Sequence, residues 1–166
     1  MSSTTTEIPA GESVITLTRI YDAPRELVWE AITEPKHVSR WWGGPGATNP
    51  VCEMNVRPGG TWRHVMRFPD GRELHMSFVF VEVSRPHKLA WRTASNPSSR
   101  DATSQSHGPG EILFTVTLDA LAAKQTAWKL VALFRSPEDR EIALSMGFAK
   151  PIEASNDRFA EYLRTL

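Results

Sequence analysis

The chain has 166 residues, 40% of them hydrophobic and 23% charged, and its 19 basic and 19 acidic side chains cancel. Such a composition is globular rather than disordered, and a chain of this length buries roughly 70% of its unfolded surface without disulfide staples. A neutral balance lacks the basic field that phosphate backbones require, so no nucleic-acid partner is expected. The N-terminus, MSSTTTEIPAGES, has no basic residue followed by an apolar run, and no stretch approaches the roughly 18 consecutive apolar residues of a membrane span. A cytoplasmic protein with no membrane contact is the expectation. Cys52, the single cysteine, has no partner for an internal disulfide and reads as a small packing residue.

Residues 1–13 are rich in Ser and Thr and read as a flexible, frayed leader; residues 14–166 read as one domain. Val14 to Tyr21 alternates, with Ile15, Leu17, Arg19 and Tyr21 on one side, and predicts a strand. Pro24 to Thr33 predicts a short amphipathic helix, with Leu27, Val28, Ala31 and Ile32 on one face. Thr33-Glu34-Pro35 ends it and starts another turn of helix through Trp41, before the loop Gly43-Gly44-Pro45-Gly46. Strands are predicted over Val51–Val56, Thr61–Phe68, Glu73–Val83, Lys88–Thr93, Ile112–Asp119 and Thr126–Arg135. Pro69-Asp70-Gly71 is the strongest of the turns between them. The polar stretch from Ala94 to Gly110 predicts a long loop of the kind that covers a site. Ser136-Pro137-Glu138-Asp139 is a helix start. From there to Leu166 the pattern is helical, with Ile142, Met146, Ala149, Ile152, Phe159 and Leu163 roughly on one side and Pro151 expected to kink or split it. The order is one strand, two short helices, six strands and a long helix. An antiparallel meander leaves a face needing cover, and only the C-terminal helix is long enough to supply it.

Several motifs resemble a known family. They are Tyr21-Asp22-Ala23-Pro24-Arg25-Glu26-Leu27-Val28-Trp29-Glu30-Ala31, Trp41-Trp42-Gly43, Val56-Arg57-Pro58-Gly59-Gly60-Thr61-Trp62-Arg63, Pro69-Asp70-Gly71-Arg72-Glu73 and Phe134-Arg135-Ser136-Pro137-Glu138-Asp139-Arg140. Together with Glu82 to Pro86 and Leu89-Ala90-Trp91, they are similar to the activator of heat-shock-protein-90 ATPase homologue-like family of the START-like SRPBCC superfamily. The resemblance covers nearly everything from Val14 onward. It implies an α+β helix-grip fold: a curved antiparallel sheet of about seven strands around a long C-terminal helix, with a hydrophobic cavity between them. Superfamily members bind lipids, polyketides, hormones or other apolar molecules, and a minority are cyclases or hydrolases. The namesake co-chaperones carry a further N-terminal domain for which 166 residues leave no room, so their activity is not expected here. Asn55, Gly147-Phe148 and Pro151-Ile152 depart from the family pattern and imply a differently shaped cavity roof.

On the strand from Thr61, alternation places Trp62, His64 and Met66 inward and Arg63 and Arg67 outward. An aromatic, soft and polar set of this kind composes small-molecule sites, and it also composes ordinary cores. Candidate ligand contacts are Trp41, Trp42, Trp62, His64, Met66, Phe78, Phe80, Trp91, Phe114, Phe148 and Ile152. Phe159 and Leu163 are assigned to packing. Parity alone does not say which of Trp91, Phe78, Phe80, Phe114, Trp128 and Phe134 face inward, because bulges shift it. Of Trp41 and Trp42, adjacent in an extended segment, one is expected to pack inward and the other to cover the mouth. His64 and His75 flank the Pro69-Asp70-Gly71 turn and are the candidates for acid/base work, yet no metal-ligand spacing or cofactor motif appears. Arg57 and Arg63 suit an anion, a loop carbonyl or an exposed ion pair. No nucleophile elbow is present, and Cys52 has no base in its local sequence. The leading expectation is therefore binding of a small apolar or aromatic molecule by a monomer or weak homodimer. A cyclase- or hydrolase-type enzyme using His64 or His75, and a chaperone-interacting module, are the alternatives.

Overall fold

A computed structural model describes residues 3–94 and 110–166; the predicted loop from Ala94 to Gly110 therefore lies almost wholly outside the described residues. The strands are β1 (Thr5–Glu7), β2 (Val14–Tyr21), β3 (Thr48–Met54), β4 (Thr61–Arg67), β5 (Glu73–Ser84), β6 (Lys88–Thr93), β7 (Ile112–Ala122) and β8 (Gln125–Phe134). The helices are α1 (Arg25–Thr33) and α2 (Pro35–Trp41) after β2, then α3 (Pro137–Ser145) and α4 (Ala149–Leu163) at the C-terminal end. All eight strands join one curved antiparallel sheet in the order β1-β2-β8-β7-β6-β5-β4-β3. The architecture is α+β and of the helix-grip kind.

Register explains which side chains meet. Leu17 lies opposite Leu130 and Tyr21 opposite Thr126, while Val116 pairs with both Leu130 and Leu89, so the inward sets of four strands line up. A bulge between Phe80 and Glu82 resets the parity of β5. It leaves Val81 exposed and lets Val83 pack on the core, where strict alternation would have sent Glu82 inward. The Arg57-Pro58-Gly59-Gly60 turn is hooked to the same place: Gly59 N–H donates to Phe80 O and Phe80 N–H to Gly60 O, at 2.8 and 2.9 Å. A Cβ on Gly60 would stand 1.9 Å from Asn55 O, so no other residue fits.

Two expectations are corrected. Part of the segment read as a frayed leader is strand: β1 pairs with β2, Thr6 Oγ1 donates to Glu153 at 2.5 Å, and Arg140 reaches Pro9 O. These partners lie 131 to 147 residues away, beyond what local pattern reading detects. The C-terminal helix is split, but not by Pro151. Gly147, at φ 77°, ends α3, and the N–H groups of Gly147 and Phe148 bond back to Leu144 O and Ala143 O. Pro151 then falls in the first turn of α4, where a missing N–H costs little. Because the helices are separate, Ile142 and Met146 do not share the face of Phe159 and Leu163; they are 37% and 67% exposed.

Nothing lies within 4 Å of a Cβ built at Gly147, so Gly147→Ala acts through backbone strain alone. It is expected to cost about 1 kcal/mol, or about 3 °C in thermal midpoint for a chain of this size. Pro151→Ala should leave the midpoint within about 1 °C. Differential scanning fluorimetry of the two variants checks the assignment, and the reverse order would show that the proline is the breaker.

Candidate functional site

β4 carries the expected alternation: Trp62, His64 and Met66 are 2%, 0% and 7% exposed, while Arg63 pairs with Glu53 and Arg67 with Glu73 at the surface. Trp62 is the hub of a wall of rings. Its centroid lies 4.8 Å from Phe78, 5.1 Å from Trp42, 5.4 Å from Trp91 and 5.9 Å from Phe80. Trp91 stacks on Phe114 at 5.5 Å, Phe114 on Phe148 at 6.2 Å, and Phe148 meets Phe134 edge-on at 5.4 Å. The wall thus runs from a buried end at Trp62 to half-buried Phe114 and Phe148.

Hydrogen bonds fix the buried end. The Trp62 indole N–H donates to His64 Nδ1 at 3.2 Å, and because an indole nitrogen can only donate, Nδ1 must be the acceptor. The imidazole is therefore neutral with its proton on Nε2, which donates to Asn49 Oδ1 at 2.8 Å. The Asn49 amide nitrogen donates in turn to Ser39 O and Trp42 O, at 2.9 and 3.1 Å. Burial pushes His64 down to about 4, because desolvation penalises the charged imidazolium. Cys52 lies opposite His64 in register, and burial pushes its thiol up to about 11. A neutral thiol beside a neutral imidazole is not an activated nucleophile.

Helix α4 clamps the same region from above. Gly43 N–H donates to Ser155 Oγ at 3.1 Å, Arg158 Nη1 donates to Trp42 O and Gly44 O at 3.2 Å each, and the Tyr162 hydroxyl meets His37 Nδ1 at 2.6 Å. Trp41 is buried and Trp42 half-buried, and both meet interior rings. Trp41 sits on Phe159 at 4.4 Å with its indole N–H on Ala31 O, and Trp42 lies 5.0 Å from His64. Trp41 is the last residue of α2 and Trp42 its extended cap, so the pair does not lie in one extended stretch and the side chains are not forced to opposite faces.

His75 does not share the face of His64. It pairs in register with Val65, on the outward side of the sheet, and stands 3.5 Å from Glu73 with a side chain 59% exposed. Met66 lies under the Gly43 loop and Ile152 packs half-buried on the core. Arg57 and Arg63 take local partners, Asn55 and Glu53. Among the described residues no group of three or more His, Cys, Asp or Glu side chains is placed to hold a metal ion, and no helix is long and apolar enough to cross a membrane.

Two clefts open elsewhere. One, of about 480 Å³, lies between α2, β3 and the end of α4 and is lined by Arg40, Asn49, Arg158 and Tyr162 among others. The second, of about 690 Å³, lies between β2 and α4, with Arg19, Tyr21, Pro45 and Asp157 in its walls. None of the aromatic wall residues Trp62, Phe78, Trp91, Phe114 or Phe148 lines either cleft. Sequence reasoning missed Asn49, Ser155, Arg158 and Arg19 as interior groups. Only Arg19 carried a signal, an arginine alternating with Ile15, Leu17 and Tyr21.

The family model described as Activator of Hsp90 ATPase homolog 1-like protein matches residues 22–164, and the chain belongs to that family. No curated protein matches it. Among solved structures, one from Nitrosomonas europaea is 24% identical, with 95% of this chain and 97% of that one covered at a TM-score of 0.79. One from Arthrobacter aurescens is 20% identical over 98% and 92%, at 0.84. A Silicibacter pomeroyi protein carrying the AHSA1 designation is 17% identical over 92% and 98%, at 0.71. At these identities the likeness speaks for the fold. Proteins with this fold are commonly ligand-binding.

The His64 assignment has a pH consequence. An unfolded imidazole takes a proton near 6.5 and the folded one near 4, so between those values the unfolded state binds more protons. Stability is complete above about pH 6.5 and falls as the pH drops toward 4, by about 3 kcal/mol from this group. Urea midpoints measured across that window should fall steeply for the parent chain. The fall should be shallower for His64→Gln, which does not titrate; parallel profiles would sink the assignment.

Proposed function

We propose that the protein binds a small apolar, aromatic molecule between the sheet and the C-terminal helices. The observation that carries this reading is the unbroken run of rings from buried Trp62 through Trp91 and Phe114 to Phe148. Its outer end rests on the joint between α3 and α4 rather than inside either helix. Phe148 is the cap residue of α4 and directly follows Gly147. Ring contacts of this sort are worth about 0.5–1.5 kcal/mol each beyond area burial. A planar ligand that takes the place of Phe148 against Phe114 recovers what the displaced ring gives up. Release of Phe148 needs rotation only at the Gly147 joint, leaving α4 held by Ser155, Arg158 and Tyr162.

The enzyme alternative receives no such support, because both nitrogens of His64 are committed to Trp62 and Asn49 and His75 faces away.

The reading is tested by following thermal midpoint and tryptophan fluorescence against a library of aromatic and lipid-like compounds. One chemical class is expected to raise the midpoint, through about 2.7 kcal/mol of added stability at a hundredfold excess over its dissociation constant. Phe114→Ala should weaken the same class about tenfold, the loss of one to two ring contacts. A library that leaves the midpoint unmoved, or a ligand indifferent to Phe114→Ala, would overturn the proposal.

A further inference from the structure

The cleft between β2 and α4 holds two buried polar groups that none of the described residues satisfies. Arg19 points inward beside Leu17 and Tyr21, with its side chain only 8% exposed, and one of its nitrogens, Nη1, contacts Asp157 Oδ1 at 2.6 Å. Among the described residues its buried Nε has no hydrogen-bond partner, and neither has the buried hydroxyl of Tyr21, a residue 2% exposed. Buried groups of this kind are almost always paired in folded proteins, and each exception asks for an explanation. The two residues that carry them, Arg19 and Tyr21, both line one cleft. The guanidinium carbon stands 5.4 Å from the centre of the Tyr21 ring, so the two groups are neighbours.

We propose that this cleft is a carboxylate site, in which Arg19 and Tyr21 receive the carboxylate of a small organic acid and Asp157 is the intramolecular competitor for that place. Three features select the chemistry. A guanidinium takes a carboxylate in a planar two-pronged fork, and Asp157 engages only one prong. Burial holds the Tyr21 phenol protonated, far above its ordinary range, so its hydroxyl is available as a second donor. The lining sets Arg19, Arg158 and Arg164 against Asp22, Asp157 and Glu161, so it offers a doubly charged phosphate no net positive charge. Pro45, Ala154, Ala160 and Leu163 give the rest of the cleft an apolar character, which suits an acid with a short alkyl or aryl body. The volume, about 690 Å³, is in the range of small-molecule sites. The Asp157 side chain is 72% exposed, and an ion pair open to water on one side is easily given up. When it swings out, the incoming carboxylate takes over the positive charge and the two orphan donors together.

This site is independent of the aromatic wall and stands or falls alone. It is tested on the intact chain by following the arginine Nε–H resonances in proton–nitrogen correlation spectra. Acetate and benzoate are titrated at constant ionic strength, with chloride as the control. A saturable shift of the Arg19 resonance is expected, tighter for benzoate. Asp157→Ala should tighten benzoate about tenfold by removing the competitor. Tyr21→Phe, which keeps the packing that Arg19→Gln would disturb, should weaken it at least fivefold. An Arg19 resonance that ignores both acids, or follows chloride equally, would overturn the proposal. So would benzoate binding unchanged in Tyr21→Phe, which would mean that an ordered water alone pairs the orphan groups.

Discussion

The hydrogen bond from the Trp62 indole to His64 governs the interior. A donor that cannot accept leaves the imidazole one role at Nδ1, and that fixes Nε2 as donor and Asn49 as its acceptor. Asn49 can then reach only backbone carbonyls with its nitrogen, those of Ser39 and Trp42. A single tautomer therefore ties β4 and β3 to the end of α2. It also presents Trp42 to both members of the pair, 5.1 Å from Trp62 and 5.0 Å from His64. Every side-chain nitrogen and oxygen in the line has a partner. Such fully satisfied networks specify one packing in a way that apolar contact alone does not.

The grip of α4 depends on that arrangement. Trp42 O accepts from both Asn49 and Arg158, so the network beneath and the helix above converge on one carbonyl. Ser155 and Arg158 can clamp the Gly43–Gly44 backbone only because α2 and the tryptophan pair are already held. The contrast with the β2 side of α4 is instructive: there the polar groups are buried before their partners are complete.

Much of this was legible in the sequence and some was not, for physical reasons. The inward set Trp62, His64 and Met66 followed from alternation because Arg63 and Arg67 marked the outer face. The start of α3 was readable because its signals are local, and Ser136 Oγ does accept from Asp139 N–H at 3.1 Å. Pro151 misled because a proline breaks a helix only beyond its first turn, and the preceding glycine had already set where that turn falls. His75 misled because sharing a hairpin turn does not mean sharing a face. The Asn49 relay was invisible, since its partners are two carbonyls and a ring 15 residues away.

The two edges of the sheet bear on how the molecule meets its own copies. A bare strand edge is a template for pairing with another chain. Here β1 caps the eight-residue edge of β2 with only three residues. At the far side, β3 carries Pro50, which has no N–H to offer, and its pairing with β4 slips between Thr48 and Val51. Neither border is a good seam for growth by strand addition. Cutting the chain back to Ser13 would strip β1 away and bare the eight-residue, apolar-backed edge of β2, so the short N-terminal strand guards against fibre-like self-assembly as well as adding to the fold.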